Sequence, residues 1–590
     1  MRRTSRVIVI LLIIMGCMAG LWLFQSWRES HRTIETKEFI NVYVTGVQGR
    51  QLKGIWQGKE CQWELISEIG NQSVIGVADL LFKEGKITKI KKKPDTIQGK
   101  ILRISDQTLQ IENYGDLTIE KDFKLYHVTT AGSVTQGEFS ELSVGYSDVR
   151  YVVAEGKICA ALVGETKLAS IRVILKDSEY ESYDFPSITI SATTDYTVTE
   201  GKEKKHFSAS EKQTWKVDQV KERLVVDTGG KGKLRVENLK RQCGIPEYRG
   251  MLEIDRVDKS LHIINELSLE EYLYSVVPSE MPTECEEEAL KAQAVCARSY
   301  AVEQMKGKRM AKWGAHVDDS VSFQVYNNLR EDAKSIAAVD STRDQVVTCN
   351  GQVVATYFYS VSCGSSAGIK DVWFEENDVD YLASVIQNEK RSTSNLNEEK
   401  DFQAFLTKEK NSYDAGSPWY RWKTSISEKA LEQSIRIGAE KRYSVNPTQI
   451  QTRQKDGTYK STGETDIGTL KSIRIVRRGK SGVARMAELE GTKNTLRVYT
   501  EYNIRLLLIG NKAVFQRQDK KEVTGLNCLP SGFFYIEKKG DSYVFSGGGY
   551  GHGVGMSQNG ANEMAVQGKN YQEILKFYFS GTNVQSREAF

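Results

Sequence analysis

Two prolines four positions apart, Pro278 and Pro282, bracket the segment Ser279-Glu280-Met281 and place the strongest local constraint on this chain. Each proline fixes its own φ and pushes the preceding residue toward extended geometry, so the bracketed segment is expected outside any helix. Thr283 and Glu286 then have the spacing of a capping box, and Glu286, Glu287 and Glu288 favour a positive helix end. The spacing predicts a helix over 284–307, with Leu290, Ala294, Ala297, Ala301 and Met305 forming its apolar stripe. A stiff connection just before a helix can hold a carboxylic acid rigidly in a cleft. Glu280 is therefore a candidate for proton transfer.

A chain of 590 residues has room for about two to four domains, and 39% hydrophobic with 27% charged residues is ordinary globular composition. The formal net charge of +4 is small for this length, and Lys and Arg are scattered rather than gathered into a basic face interleaved with aromatics. Nucleic acid is not expected as a partner. The one sharp cluster, Lys89, Lys91, Lys92 and Lys93, reads as a solvated strand end.

Residues Val7 to Phe24 form an uncharged apolar run near the lower length limit of a membrane-spanning helix. Arg2, Arg3 and Arg6 precede it, whereas the charges after it nearly cancel, which puts residues 1–6 in the cytoplasm as a short tail and the rest outside. A cleaved signal peptide is the alternative, although no A-x-A-like site follows closely. Met15-Gly16-Cys17 also looks like a lipoprotein acceptor, but the apolar residues after Cys17 suit a continuing helix better. Nine cysteines show no C-x-x-C and no zinc-type spacing, so neither a structural metal nor a cofactor is expected. Cys285 and Cys296 lie about three turns apart on one predicted helix and cannot pair. One or two disulfides among Cys61, Cys159, Cys243, Cys349 and Cys528 are open to an exported chain.

Residues 25–165 read as short alternating strands with glycine turns, forming one or two small β-domains that act as a spacer or recognition region. ADLLFKEGKI and VRYVVAEGKI echo each other there, as a shared hairpin solution would produce. A second unit, 169–585, begins with strands, continues through the long helix, and is expected to be β-rich. Residues 388–417 are polar and loop-prone, and 425–511 read as a subdomain with one helix and several strands. The fold class is therefore α+β: a β-rich catalytic domain with a long helix, preceded by small β-domains and one transmembrane helix.

The second motif is FSGGGYGHGVGMSQNGANEMAVQGKNYQEILKFYFSGT, from Phe545 to Thr582. Its glycines allow backbone conformations that bring His552 and Gln558 next to a ligand. It lacks the lysine of a P-loop and the G-x-G-x-x-G spacing, so nucleotide binding is a poor reading. A helix over 557–567 follows, and another ends in Phe577, Tyr578 and Phe579, whose rings would suit sugars.

These two motifs together, EYLYSVVPSEMPTECEEEALKAQAVCARSYA and GGGYGHGVGMSQNGANEMAVQG, resemble the stage II sporulation protein D family with its amidase-enhancer members. The likeness runs from about Ala169 to Thr582 and includes SFQVYNN, ATYFYSVSCGSSAG, DVWFEEN and SPWYRW. It implies a membrane-anchored lytic transglycosylase acting on peptidoglycan glycan strands, with a cell-wall amidase and membrane sporulation proteins as partners. It places the catalytic glutamate on Glu280. Gln293, Arg298, Tyr300, Gln324, Ser362, His552 and Gln558 are the candidate substrate-binding residues. Arg298 has a competing reading as a structural ion-pair partner, and His552 as a backbone-bonded residue of a glycine-rich turn. The family's occasional zinc site would fall in AHVDDSVSFQVY, where Asp318, Ser322 and Phe323 stand at the ligand positions and only His316 remains, so no zinc is expected.

One evident acid suffices for such chemistry. The C6 hydroxyl of a muramyl sugar attacks its own C1 with a large effective molarity, whereas most glycosidases need a second carboxylate. A thiol hydrolase built on Cys363 and His552 lacks a third, orienting group. The alternative function is a non-catalytic glycan-binding protein that stimulates an amidase through the same groove.

Overall fold

The computed structural model describes residues 36–587 except 69–73, 166–167, 169, 374–378, 393–394 and 409–410. The apolar run Val7–Phe24 lies outside the described residues, and among those described no helix is long and apolar enough to cross a membrane. The architecture is α+β and strand-dominated, in two compact units, 1–168 and 169–590.

The first unit holds two sheets. In the first, strands Lys59–Glu64, Gln51–Trp56, Thr36–Gln48, Gly76–Lys83 and Lys86–Lys92 run antiparallel in that spatial order. The second is seven-stranded and mostly antiparallel, except where Lys157–Val163 runs parallel to Gly115–Val128. The echoed segments are both hairpins, each turning through Glu-Gly at positive φ: Glu84 at 53° with Gly85 at 81°, and Glu155 at 51° with Gly156 at 74°. Two successive positive φ values match the right-handed twist of the paired strands, which explains the repetition. Lys93 corrects the solvated-cluster expectation. Lys89, Lys91 and Lys92 are exposed, but Lys93 is buried, with its Nζ 3.0 Å from Asp79 and 2.5 Å from Asn41. A buried ammonium persists only when paired in this way.

The second unit opens with a seven-stranded sheet in which Met251–Val257, Ser260–Ser268, Ser170–Ile174 and Val317–Asp318 are successive neighbours. Ser260–Ser268 runs directly into helix α1 (Leu269–Glu280), whose first turn is capped by the Ser268 hydroxyl accepting from the Glu271 N–H. Pro278 thus lies inside a helix, contrary to expectation, and Glu280 is the last residue of that helix rather than part of a connection. Burial of Leu269, Tyr272, Leu273, Val276 and Val277 overrides the proline, which costs only one hydrogen bond near the helix end. Pro282 does terminate the helix, because Met281 before it is extended at φ −135°.

Helix α2 (Glu287–Lys306) starts later than the 284–307 expected, and the capping box does not form: Glu286 occupies the cap without a side-chain bond. Its N–H is taken instead by Asn562 Oδ1 at 2.8 Å. All five stripe residues of α2 are buried. Small side chains let α1 and helices α3 (Ala333–Ser341), α8 (Gln558–Val566) and α9 (Tyr571–Tyr578) pack closely around it.

Between α3 and α8 lie α4 (Ile369–Val372), α5 (Glu399–Lys408), α6 (Glu428–Val445) and α7 (Glu501–Leu507). Helix α5 falls within the stretch read as loop, where Phe402 and Leu406, one turn apart, bury enough surface to order it. Segment 425–511 contributes α6, α7 and a five-stranded sheet. Its core residues Leu431, Ile435, Leu489 and Val498 are continuous with Trp422, Phe515, Phe534 and Phe545 of the neighbouring sheet. All eight described cysteines are unpaired.

Candidate active site

Glu280 sits where α1 ends, and three separate segments converge on it. The Val325 N–H, from the QVY loop, donates to Glu280 Oε1 at 2.6 Å. From the other side Gln558, the first residue of α8, donates through Nε2 to the Glu280 carbonyl at 2.9 Å. The same Nε2 lies 3.3 Å from Gln293 Oε1 on α2. Ser279 is anchored as well, its hydroxyl donating to the Ser275 carbonyl at 2.7 Å and accepting from the Asn328 and Leu329 N–H groups. The acid is therefore held at both its carboxyl and its backbone.

Burial pushes the Glu280 carboxyl up to about 7, against the opposing effect of the Val325 hydrogen bond. The residue is half-buried by exposed surface, yet protein atoms surround the carboxyl densely. The surroundings decide its charge, because water reaching one edge of a carboxylate solvates it poorly. A position at the C-terminal end of α1 acts in the same direction, since that end of a helix disfavours an anion. The helix to which Glu280 belongs thus reinforces the effect of burial. Tyr272 and Tyr300 lie close enough to feel the Glu280 charge, and burial raises both phenols.

Of the other expected contact residues, Gln293 and Gln558 meet at Glu280, and Tyr300 borders it. Arg298 makes no hydrogen bond to Glu280 or its partners. It is fully buried, forks onto Glu270 at 2.9 and 2.6 Å, and donates to the Val339 and Gln345 carbonyls, which is the structural alternative. Gln324 is buried between the Tyr272 hydroxyl and the Ala297 carbonyl, each 3.4 Å away. Ser362 is also internal, with its N–H donating to Asp414 and its hydroxyl accepting from the Gly364 N–H.

The GGGYGHGVG run lies against the segment 357–363, bridged at Val361–Tyr550 and through the short parallel pair Phe358–Tyr359 with Met556–Ser557. Gly555 has φ +82°, and a Cβ there would meet the Tyr357 carbonyl oxygen at 2.1 Å, so only glycine permits this approach. His552 is engaged by backbone on both ring nitrogens. Nδ1 accepts from the Val554 N–H at 3.1 Å, and the ring also bonds the Phe358 carbonyl. Burial, with the Arg505 charge, pulls its pKa down to about 4, so the ring is neutral near pH 7. Burial likewise pushes the Cys363 thiol up to about 11, which leaves no thiolate for a Cys–His pair.

Aromatic rings connect the two motifs. Tyr300 packs edge-on to Tyr357 at 5.8 Å, Tyr357 meets Trp373 at 4.7 Å, and Trp373 meets His552 at 5.0 Å. The run expected to supply rings for sugars behaves differently: Tyr578 and Phe579 are buried in the core, and Phe577 packs on Tyr413.

Asp414 was missed because it lies in the polar stretch without a motif around it. It is fully internal, accepts from the Ser557 hydroxyl at 2.5 Å and from the Ser362 N–H at 2.9 Å, and so ties the cap of α8 to segment 357–363. Burial pushes its carboxyl up to about 7. In the AHVDDSVSFQVY segment His316 Nδ1 accepts from the Arg172 N–H and Asp318 accepts from the Tyr183 hydroxyl. Among the described residues no group of three His, Cys, Asp or Glu side chains is disposed to hold a metal.

This core, α1 with its terminal acid, α2, and the loop that returns to the acid, coincides with a match over residues 257–349 to the SpoIID model of stage II sporulation proteins. Residues 367–456 and 441–555 match a domain of unknown function, DUF8618. Stage II sporulation protein D of Bacillus subtilis is 28% identical over 341 residues, covering 55% of this chain and 77% of that protein. An uncharacterized protein of Brachyspira hyodysenteriae is 29% identical, covering 57% of this chain and 72% of its own length. The amidase enhancer of B. subtilis is 26% identical over 53% of this chain and 40% of that protein. Residues 257–349 thus carry the SpoIID signature, and the chain is similar to stage II sporulation protein D and amidase-enhancer proteins.

Proposed function

We propose that this protein is a peptidoglycan lytic transglycosylase with Glu280 as its acid and base. The observation that carries the reading is a carboxyl held at the end of α1 by the Val325 N–H and kept near half-protonation at neutral pH. The protonated acid gives its proton to the glycosidic oxygen as the bond to the muramyl C1 breaks. The C6 hydroxyl of the same sugar closes onto C1, and the Glu280 carboxylate takes the hydroxyl proton. No water is consumed, and the products are a 1,6-anhydro-muramyl end and a free hydroxyl on the leaving sugar. The apolar run Val7–Phe24 would anchor the chain with this unit outside the membrane.

Digestion of purified peptide-free glycan strands, read by mass spectrometry, tests the reading. Wild type is expected to release anhydro-muramyl ends and Glu280→Gln to release none while keeping its melting temperature. If neither protein releases product yet both bind strands, the enzymatic reading fails. A second reading then takes over, favoured by the likeness to an amidase enhancer: a glycan-bound stimulator of a cell-wall amidase, whose effect would survive Glu280→Gln. The name of the B. subtilis relative makes sporulation the first process in which to look.

A further inference from the structure

We propose that the open face of Trp373 is a sugar-stacking subsite of the Glu280 cleft, taking a pyranose ring of the glycan strand beyond the sugar that is cleaved. The proposal rests on the glycan-cleaving reading above.

Trp373 is 40% exposed and is the one exposed tryptophan among the described residues. Its backbone is fixed, because it closes the single turn of α4 with its N–H donating to the Ile369 carbonyl at 3.0 Å. Its ring is fixed too, tilted against Tyr357 at 4.7 Å and His552 at 5.0 Å. A large ring immobilised on one side and open on the other has little conformational freedom left to lose when a ligand stacks on it.

Two independent paths lead from Trp373 to the acid. Across the rings, Tyr357 and then Tyr300 lead to the surroundings of Glu280 in steps of 4.7 and 5.8 Å. Along the chain, His552 against Trp373 and Gln558 on the Glu280 carbonyl are six residues apart in one segment. The platform is thus tied to the element that positions the acid. A strand stacked on it would be registered against Glu280.

The test is binding of peptide-free glycan strands to Glu280→Gln protein, which avoids turnover, with and without Trp373→Ala. The added substitution is expected to raise Kd about tenfold, and Trp373→Phe to restore most of the affinity. In the active protein Trp373→Ala should raise KM by a similar factor with kcat near the wild-type value, the pattern of lost uniform binding. Unchanged Kd and KM in Trp373→Ala would overturn the subsite while leaving the transglycosylase reading intact. A wild type that neither binds nor cleaves strands would overturn both. Should Trp373→Ala fail to fold, Trp373→Gln at the same exposed position gives the same readout.

Discussion

Glu280 holds its proton more tightly in the folded chain than in the unfolded one. Between the ordinary carboxyl value of 4.5 and about 7, the native state therefore binds more protons than the unfolded state, and stability falls as pH rises through that window. Glu280→Gln removes the penalty. Urea unfolding should show the variant more stable than wild type at pH 8, by on the order of 1–3 kcal/mol, and equal to it at pH 4. Activity should move the same way: kcat/KM falls as pH rises past about 7, because the protonated acid is needed first. Arg298 calls for a different measurement. Since its guanidinium is fully committed to Glu270 and two carbonyls, Arg298→Ala should cost about 3–5 kcal/mol in unfolding free energy by leaving a buried carboxylate unpaired. Any folded Arg298→Lys protein should keep its affinity for glycan. At this scale Glu280 stood out as a candidate because prolines flank it and the family motif runs through it, although its place as the last residue of α1 was not foreseen. Arg298 stayed between two readings because helical spacing alone does not say which face of α2 turns toward Glu280 and which toward Glu270.

Pro278 and the glycine run are the informative elements. Replacing Pro278 with alanine restores a donor to the last turn of α1 and removes a ring clash, so Pro278→Ala should stabilise the chain by about 1–2 kcal/mol despite the added unfolded-state freedom. If activity drops while the melting temperature rises, the proline tunes where Glu280 points. Gly555→Ala should do the reverse. With φ at +82° and the Tyr357 carbonyl in the way, it is expected to cost about 2 kcal/mol or more in chemical denaturation and to displace Gln558 from the acid. Local rules read both motifs correctly as positions, yet the proline rule failed at 278 and the capping box failed at Thr283. In each case burial decided the backbone: α1 is almost wholly internal, and Asn562 supplied the α2 start with a partner from far along the chain. Helix α5 was invisible for a related reason, since two apolar anchors in a polar stretch leave little periodic signal.

Every residue converging on Glu280 belongs to the second of the two compact units, whereas the first is built from hairpins whose repetition follows from turn geometry. A fragment beginning at Ser170 should therefore melt cooperatively and, if the proposed activity holds, cleave glycan strands as the full chain does; loss of cleavage by a folded fragment would assign the first unit a part in handling substrate. The fold class and the two motifs were readable from pattern. The way 425–511 shares a core with the sheet beside it was not, because nothing local to that segment shows where its apolar side will dock. One bond described above bears on timing. Gln558 grips the backbone of Glu280 across a sequence separation of 278 residues. A chain that emerges N-terminus first thus carries its acid for nearly half of its synthesis without the residue that fixes it. If the proposed cleavage holds, a nascent or clipped chain lacking that last segment should show little of it, because its acid lacks the Gln558 anchor.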